Sequence, residues 1–338
     1  MSSASPSSSP CIALDAMGGD DSPRAIVRGV ALLGEDFPGR LLLVGEENAI
    51  RDSGPLPPYA KIVHAEEVVE MHEPVSAALR KKRKSSVAVA VQQVSEGSAQ
   101  AVISAGHTGA FMAYSVTTLG RLPGIQRPAI ATLMPTAGEP CILIDVGANV
   151  DCRPDFLLDF AVMGKVYAEK ILGRSAPRVG LLSIGQEEGK GNELTAAAKL
   201  LLEKATLNFI GNVEGRDLPS GQVDVVVCDG FVGNVILKFG EGLSEMIFQQ
   251  LQIEYERLKE VAHLGSQQEE VFQRMMASTD YSEYGGALLL GVNGCCVVCH
   301  GKSSPKAIAN AVRVAVRAIE RRVTATISEE VCAVHEGE

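Results

Sequence analysis

The sequence predicts an α/β protein built on a mainly parallel sheet, and two observations carry this. One unit recurs along the chain: a short apolar run, a loop of small and polar residues, then a helical pattern. The apolar runs are continuous rather than alternating, as expected of strands covered on both faces. Thirty-four glycines add the tight turns that such a succession of elements needs.

The units follow in order. "CIALD" leads through "AMGGDDSP" to "RAIVRGVALL", and "AVISAG" through "HTG" to "AFMAYSVTTL". "CILIDVG" leads through "ANVDCRP" to "DFLLDFAVMGKVYAEKIL", and "RVGLLSIG" through "QEEGKGN" to "ELTAAAKLLLEKA". "VDVVVCDG" leads through "FVGN" to "VILKFGEGLSEMI", and "CCVVC" through "HGKSSP" to "KAIANAVRVAVRAIERRV". "LLLVGEENAI" and "KIVHAEEVV" are further strand candidates. Ligands of such sheets bind beyond the carboxyl ends of strands. All these small-polar loops are therefore expected on one sheet edge, where backbone N–H groups and helix N-termini suit an anion.

Composition narrows the class. The chain is 46% hydrophobic, 4% aromatic and without Trp, so its core must rest on Val, Ala, Leu and Ile. A formal net charge of −10 argues against nucleic acid as a partner. Residues 1–10, "MSSASPSSSP", read as a disordered tail without the basic start and apolar stretch of a secretory signal. Residues 11–330 read as a single α/β domain. The eight cysteines sit mostly in apolar runs, as buried reduced thiols of a cytoplasmic protein do, and the C-x-x-C at Cys296–Cys299 reads as buried strand rather than zinc site.

Two stretches depart from the pattern. Arg80, Lys81, Lys82, Arg83 and Lys84 form a basic run on an acidic chain, either a solvated helix end or a dock for an acidic partner. From Leu243 to His263 a long helix carries an apolar stripe, Leu243, Ile247, Leu251, Tyr255, Leu258 and Ala262. With a turn and a second helix after it, residues 240–280 read as a protruding hairpin for dimer or membrane contact.

Motif spacing excludes several chemistries. "IGQEEGKGNEL" has only three residues between Gly185 and Gly189, Gly191 where a P-loop needs Ser or Thr, and the acidic Glu187 and Glu188 nearby. No G-x-G-x-x-G follows a strand, and no G-x-S-x-G or H-E-x-x-H occurs. The histidines do not pair at metal spacing. No metal and no cofactor is expected.

"LDAMGGDDSP", "SAGHTGA", "DVGAN", "IGQEEGKGNEL", "GNVEGRDL", "VCDGFVGNV", "YGGALLLGVNG" and "CHGKSS" resemble, in order, the motifs of the bacterial phosphate acyltransferases, the acyl-ACP:phosphate transacylases of phospholipid synthesis. The resemblance covers about residues 11 to 325. It implies transfer of a long-chain acyl group from acyl-ACP to inorganic phosphate. It also implies a three-layer α/β/α fold like phosphate acetyltransferase and isocitrate dehydrogenase, a homodimer, and peripheral contact with the inner membrane surface. In this chain His107 stands where the family usually has Asn, and Leu288 where it often has Pro. A short-chain transferase using CoA, a decarboxylating dehydrogenase and a non-catalytic acyl-ACP binding module are the rival readings.

Phosphate is already largely dianionic near neutrality, so the reaction needs an anion pocket and oxyanion donors more than a strong base. Lys190, held between glycines, is expected to polarise the thioester or bind phosphate, with a covalent role as the alternative. Asn234 is expected to donate to the oxyanion or to phosphate, unless it is an ordinary helix cap. His300 is a candidate proton donor to the leaving thiolate, with a core or capping histidine as the equal alternative. Gly18, Gly19, Gly106, His107, Thr108 and Gly109 are expected phosphate donors, with Asn149, Asn192 and Glu193 in the adjoining loops. Asp15 and Asp229 end their strands and are expected to orient loops. The basic run is the expected dock for the acidic carrier protein.

Overall fold

The computed structural model describes residues 9–187, 189–262, 269–272 and 285–336, with the backbone alone at 259–262 and 336. Most of the expected tail, Glu188, the side chain of Ala262 and much of the expected second hairpin helix lie outside the described residues.

Eleven strands form one sheet: β1 Cys11–Asp15, β2 Arg40–Gly45, β3 Ala60–His64, β4 Ala101–Ser104, β5 Ala129–Met134, β6 Cys141–Ile144, β7 Val179–Leu182, β8 Phe209–Val213, β9 Val225–Val227, β10 Ala287–Leu290 and β11 Cys295–Val298. Their order is β3-β2-β1-β4-β11-β10-β5-β6-β9-β7-β8. All pairings are parallel except β11 with β10, β10 with β5, and β5 with β6. The mainly parallel sheet read from the sequence is borne out.

Strand side chains alternate between two helical layers, as the period of two requires. On β1, Ile12 and Leu14 enter one core and Ala13 the other; on β6, Ile142 and Ile144 oppose Leu143. All six are buried, so neither face is a solvent face. One layer holds helices α1 Arg24–Ala31, α6 Pro154–Ile171, α7 Glu193–Lys204, α9 Pro305–Glu320 and α10 Val323–Glu336. The other holds α3 Val75–Lys81, α4 Ser86–Ser95, α5 Thr108–Leu119 and the start of α8 Gly230–Ala262. A short α2, Glu47–Asp52, flanks β2 and β3.

The three antiparallel pairings reverse the second half of the sheet. The carboxyl ends of β1, β4 and β11 lie on one edge, and those of β6, β9 and β7 on the opposite edge. The expectation that all the polar loops share one edge is therefore wrong. It failed because β5 and β10 are not followed by helices, so the repeating pattern passed over them.

"FVGN" is also not a loop. It lies within the opening turns of α8, which runs unbroken for 33 residues from Gly230. Tyr255 of α8 stacks on Phe272 at 4.1 Å, so residues 269–272 fold back against the long helix. No helix among the described residues is long and apolar enough to cross a membrane.

Candidate functional site

One cleft of about 1120 Å³ lies across the face of β11, β10 and β5 and reaches the loop after β6, where the α5 side of the helical layer ends and α8 begins. It spans both sheet edges and so gathers loops that the reversed halves hold apart. Its polar pole is made by Thr108, His300, Lys302, Ser303 and Ser304, which follow β4 and β11, and Asn234 lines the cleft from the opposite sheet edge. Its apolar wall is made by residues such as Leu133, Met134, Leu218, Ile236, Phe239 and Leu243.

The β6 edge is organised by a buried carboxylate. Asp145 accepts from the backbone amides of Ile130 at 2.9 Å, Ala148 at 3.1 Å and Asn149 at 2.7 Å, and from Asn149 Nδ2 at 3.0 Å. Burial raises its pKa against these bonds. The loop so fixed puts Val146 and Gly147 in the cleft wall. A Cβ on Gly147 would meet the Asn234 side chain at 3.6 Å, so Asn234 lies across this glycine. Asn234 is in the second turn of α8 and is not its cap. Asp229 has that place, accepting from Val232 N at 2.9 Å.

On the other edge, His300 Nδ1 accepts from Lys302 N at 3.1 Å. This leaves Nε2–H as the free ring donor. Ser304 caps α9 by accepting from Ala307 N at 3.2 Å, so the positive end of a 16-residue helix adjoins the pole. The exposed Lys302 ammonium has no partner among the described residues, whereas Lys238 of the same cleft is paired with Glu241 at 2.8 Å. Lys302 and Ser303 were not singled out from the sequence. They stood inside "CHGKSS", and the signal was a free cation one turn before a Ser-Pro helix start.

Several expected donors are used by the fold instead. Asp15 is buried and accepts from Ser104 Oγ at 2.7 Å and Met17 N at 3.3 Å, and burial raises its pKa too. Gly18 packs on Gly106, where a Cβ would stand 2.6 Å from its nitrogen, and Gly19 packs on Gly301. None of Asp15, Gly18, Gly19, Gly106 or Gly109 lines the cleft. His107 caps α5, its Nδ1 accepting from Ala110 N at 3.3 Å while Nε2 bonds the Glu73 carbonyl at 3.1 Å. An Asn in its place would cap equally well. Asn149 spends its amide on Pro128 O and Asp145. Asn192 caps α7 through Thr195, and Glu193 is the exposed first residue of that helix.

Lys190 is exposed, and its stem lies over Gly185. It is not among the cleft-lining residues. Its loop follows β7, one strand beyond β9 on the Asn234 edge. It touches the helical turn Gly215–Ser220, which walls the cleft, through Gln186 Nε2 donating to Asp217 at 3.0 Å.

Of the basic run, Arg80, Lys81, Arg83 and Lys84 are exposed. Lys82 is drawn inward onto Glu73, so it leaves the docking set. The cysteines are all free thiols. Cys296 and Cys299 enter opposite helical layers, and burial pushes both to about 12, so they form neither a zinc pair nor a redox pair.

A family model described as "Fatty acid synthesis protein" matches residues 11–326. The chain belongs to this family. A phosphate acyltransferase of Desulforamulus reducens is 52% identical over 328 residues, covering 94% of this chain and 96% of its own. Another, from Pelotomaculum thermopropionicum, is 50% identical over 327 residues, covering 95% and 94%. The resemblance read from the loop motifs is thus borne out. Among solved structures, a phosphotransacetylase of Streptococcus pyogenes matches with a TM-score of 0.61 at 17% identity, covering 92% of this chain and 94% of its own. A branched-chain phosphotransacylase of Enterococcus faecalis matches at 0.56 and 16%, covering 91% and 98%. These two likenesses bear out the fold.

Proposed function

We propose that this family member transfers a long-chain acyl group from acyl carrier protein to inorganic phosphate. The observation that carries the reading is the cleft's two poles: a cationic, donor-rich end continuous with an apolar wall. Phosphate and thioester head fit the first, and a fatty chain fits the second. A phosphate oxygen attacks the thioester carbonyl carbon. The C–O bond forms, the C–S bond breaks through a tetrahedral oxyanion, and the carrier's thiolate leaves and takes a proton.

Lys302, Ser303 and the α9 N-terminus hold the phosphate, with Thr108 opposite. The Asn234 amide donates to the oxyanion, and His300 Nε2–H faces the departing sulfur. Lys190 is the second cation of the proposal, an ammonium with no partner among the described residues, on a four-carbon stem beside the turn that walls the cleft. Arg80, Lys81, Arg83 and Lys84 receive the acidic carrier protein.

Homodimerisation and peripheral membrane contact belong to the same proposal. The apolar surface of α8, with Phe239 70%, Met246 52% and Leu258 55% exposed, supports them.

The test is phosphate-dependent release of carrier thiol from hexadecanoyl-ACP, with acetyl-CoA as control donor. Asn234→Ala is expected to lower kcat by about 100-fold, the usual loss of one oxyanion donor. Lys302→Ala should raise the KM for phosphate, and Lys190→Ala should lower kcat. Turnover of acetyl-CoA but not hexadecanoyl-ACP would overturn the long-chain reading. Charge reversal at Arg83 and Lys84 should raise only the KM for acyl-ACP.

A further inference from the structure

We infer that Gly240 is a specificity determinant, keeping open the lane in which the donor's acyl chain lies along α8. This rests on the reading of the cleft as an acyl-transfer site. Gly240 is interior to a 33-residue helix, where glycine is disfavoured against alanine because it loses more backbone freedom on folding. Two other glycines of this helix, Gly230 and Gly233, have a neighbour that demands them. A Cβ on Gly233 would collide with the Asp145 carbonyl oxygen, and one on Gly230 would stand 2.6 Å from the Asn149 carbonyl.

Gly240 has no such neighbour. A Cβ there would meet, among the described residues, only Met134 Cε at 3.5 Å, an ordinary van der Waals contact. Residues three and four positions away share its helix face. Ile236, Leu237, Leu243 and Ser244 all line the cleft, as Gly240 does. Gly240 therefore sits at the centre of the face turned to the cleft, opposite the flexible thioether of Met134. The fold accepts a side chain at this position, and what a side chain removes is room for a ligand. The apolar wall around it fits a hydrocarbon chain rather than phosphate or pantetheine. Gly242, two residues on, is exposed, with open space where its Cβ would be, and it does not line the cleft.

The experiment compares wild type, Gly240→Ala, Gly240→Leu and Gly242→Ala. It reads kcat/KM for hexadecanoyl-ACP and octanoyl-ACP, Tm, and mass in solution. Both alanine variants are expected to raise Tm by about 2 °C, from helix propensity alone. Gly240→Leu is expected to lower the hexadecanoyl-to-octanoyl ratio by about tenfold, the scale of discrimination set by one or two methylenes in an apolar pocket. Gly240→Ala should lower the ratio less, and Gly242→Ala should leave it unchanged. An unchanged ratio in Gly240→Leu would overturn the inference while the cleft reading stands. So would an equal loss for both donors together with an altered mass, which would make Gly240 a subunit-packing residue. Wild type that releases carrier thiol from neither donor would overturn the cleft reading itself and the inference with it.

Discussion

Asp15 ends one buried strand and Asp145 directly follows another, each is lost to solvent, and each has a glycine pressed against its carboxylate. A Cβ on Gly18 would stand 2.7 Å from Asp15 Oδ2, and one on Gly230 would stand 2.7 Å from Asp145 Oδ2. The local plan is the same and its use differs. The Asp15 carboxylate bonds a serine hydroxyl and packs its loop behind the cleft, against Gly106 and Gly301. The Asp145 carboxylate holds a loop that enters the cleft wall and seats the first turns of α8. A strand-end aspartate followed by glycines thus signals a rigid loop, and the surrounding strands decide whether that loop faces substrate.

The sharpest way to break this comparison is to fill the glycines. Gly233→Ala drives a Cβ into the Asp145 carbonyl, and Gly18→Ala drives one into the Gly106 backbone. Each should cost about 3 kcal/mol in denaturant unfolding, since neither obstacle is a side chain that can turn away. Gly233→Ala should also lower kcat beyond its loss of stability, because it displaces Asn234. Equal activity in the two folded variants would remove the distinction between the loops.

A smaller effect is expected from the carboxylates. Asp145→Asn offers one acceptor oxygen to donors now shared by two, and should cost about 2–3 kcal/mol. Asp15→Asn loses less, about 1 kcal/mol, because the Ser104 hydroxyl can turn to a new partner. Thermal melts of both variants check this order.

The smallest effect lies in pH. Burial raises the Asp224 pKa, but the side chain and backbone amide of Arg178, with Arg174, outweigh it, and the folded value lies below the usual one. Its pairing therefore stabilises the fold at neutral pH, and this stability is lost as pH falls below about 3.9 through the folded value. Asp15 and Asp145 have the opposite sign. Their folded values are raised, so charging them as pH rises costs stability, and acid does not unfold the protein through them. Asp224→Asn should lose about 1 kcal/mol at pH 7, a figure kept low because Arg178 is 40% exposed. The gap to wild type should close in acid. A gap that persists at pH 3 would mean that Asp224 acts by packing.

Much of this was legible locally. The continuous apolar runs showed the buried strands, and the small-polar stretches after them held Asn234 and His300, both of which reach the cleft, though the stretch with Asn234 is helix rather than loop. Thr108 was legible as a candidate donor in the loop after β4; it proves to be the first residue of α5 and lines the cleft. His107, Asn149 and Asn192 carry the same residue types in the same kind of loop, yet their side chains cap helices or brace turns. A local pattern does not distinguish a donor satisfied by the fold from one left for a ligand, because that depends on which atoms lie opposite. The apolar wall was not legible, since Met134, Leu218 and Ile236 are distant in sequence and come together only in the cleft.

The sequence by itself determined the elements, their alternation, the buried thiols and the family, because propensity, periodicity and ordered motifs are local properties of the chain. Tertiary structure decided strand direction. β5 and β10 pair antiparallel in the middle of the sheet and turn half the loops to the opposite edge. The ligand site is consequently a cleft across a face rather than a row along an edge. Strand order and direction are set by long-range pairing and by the burial of both sheet faces, and no single stretch of residues encodes either.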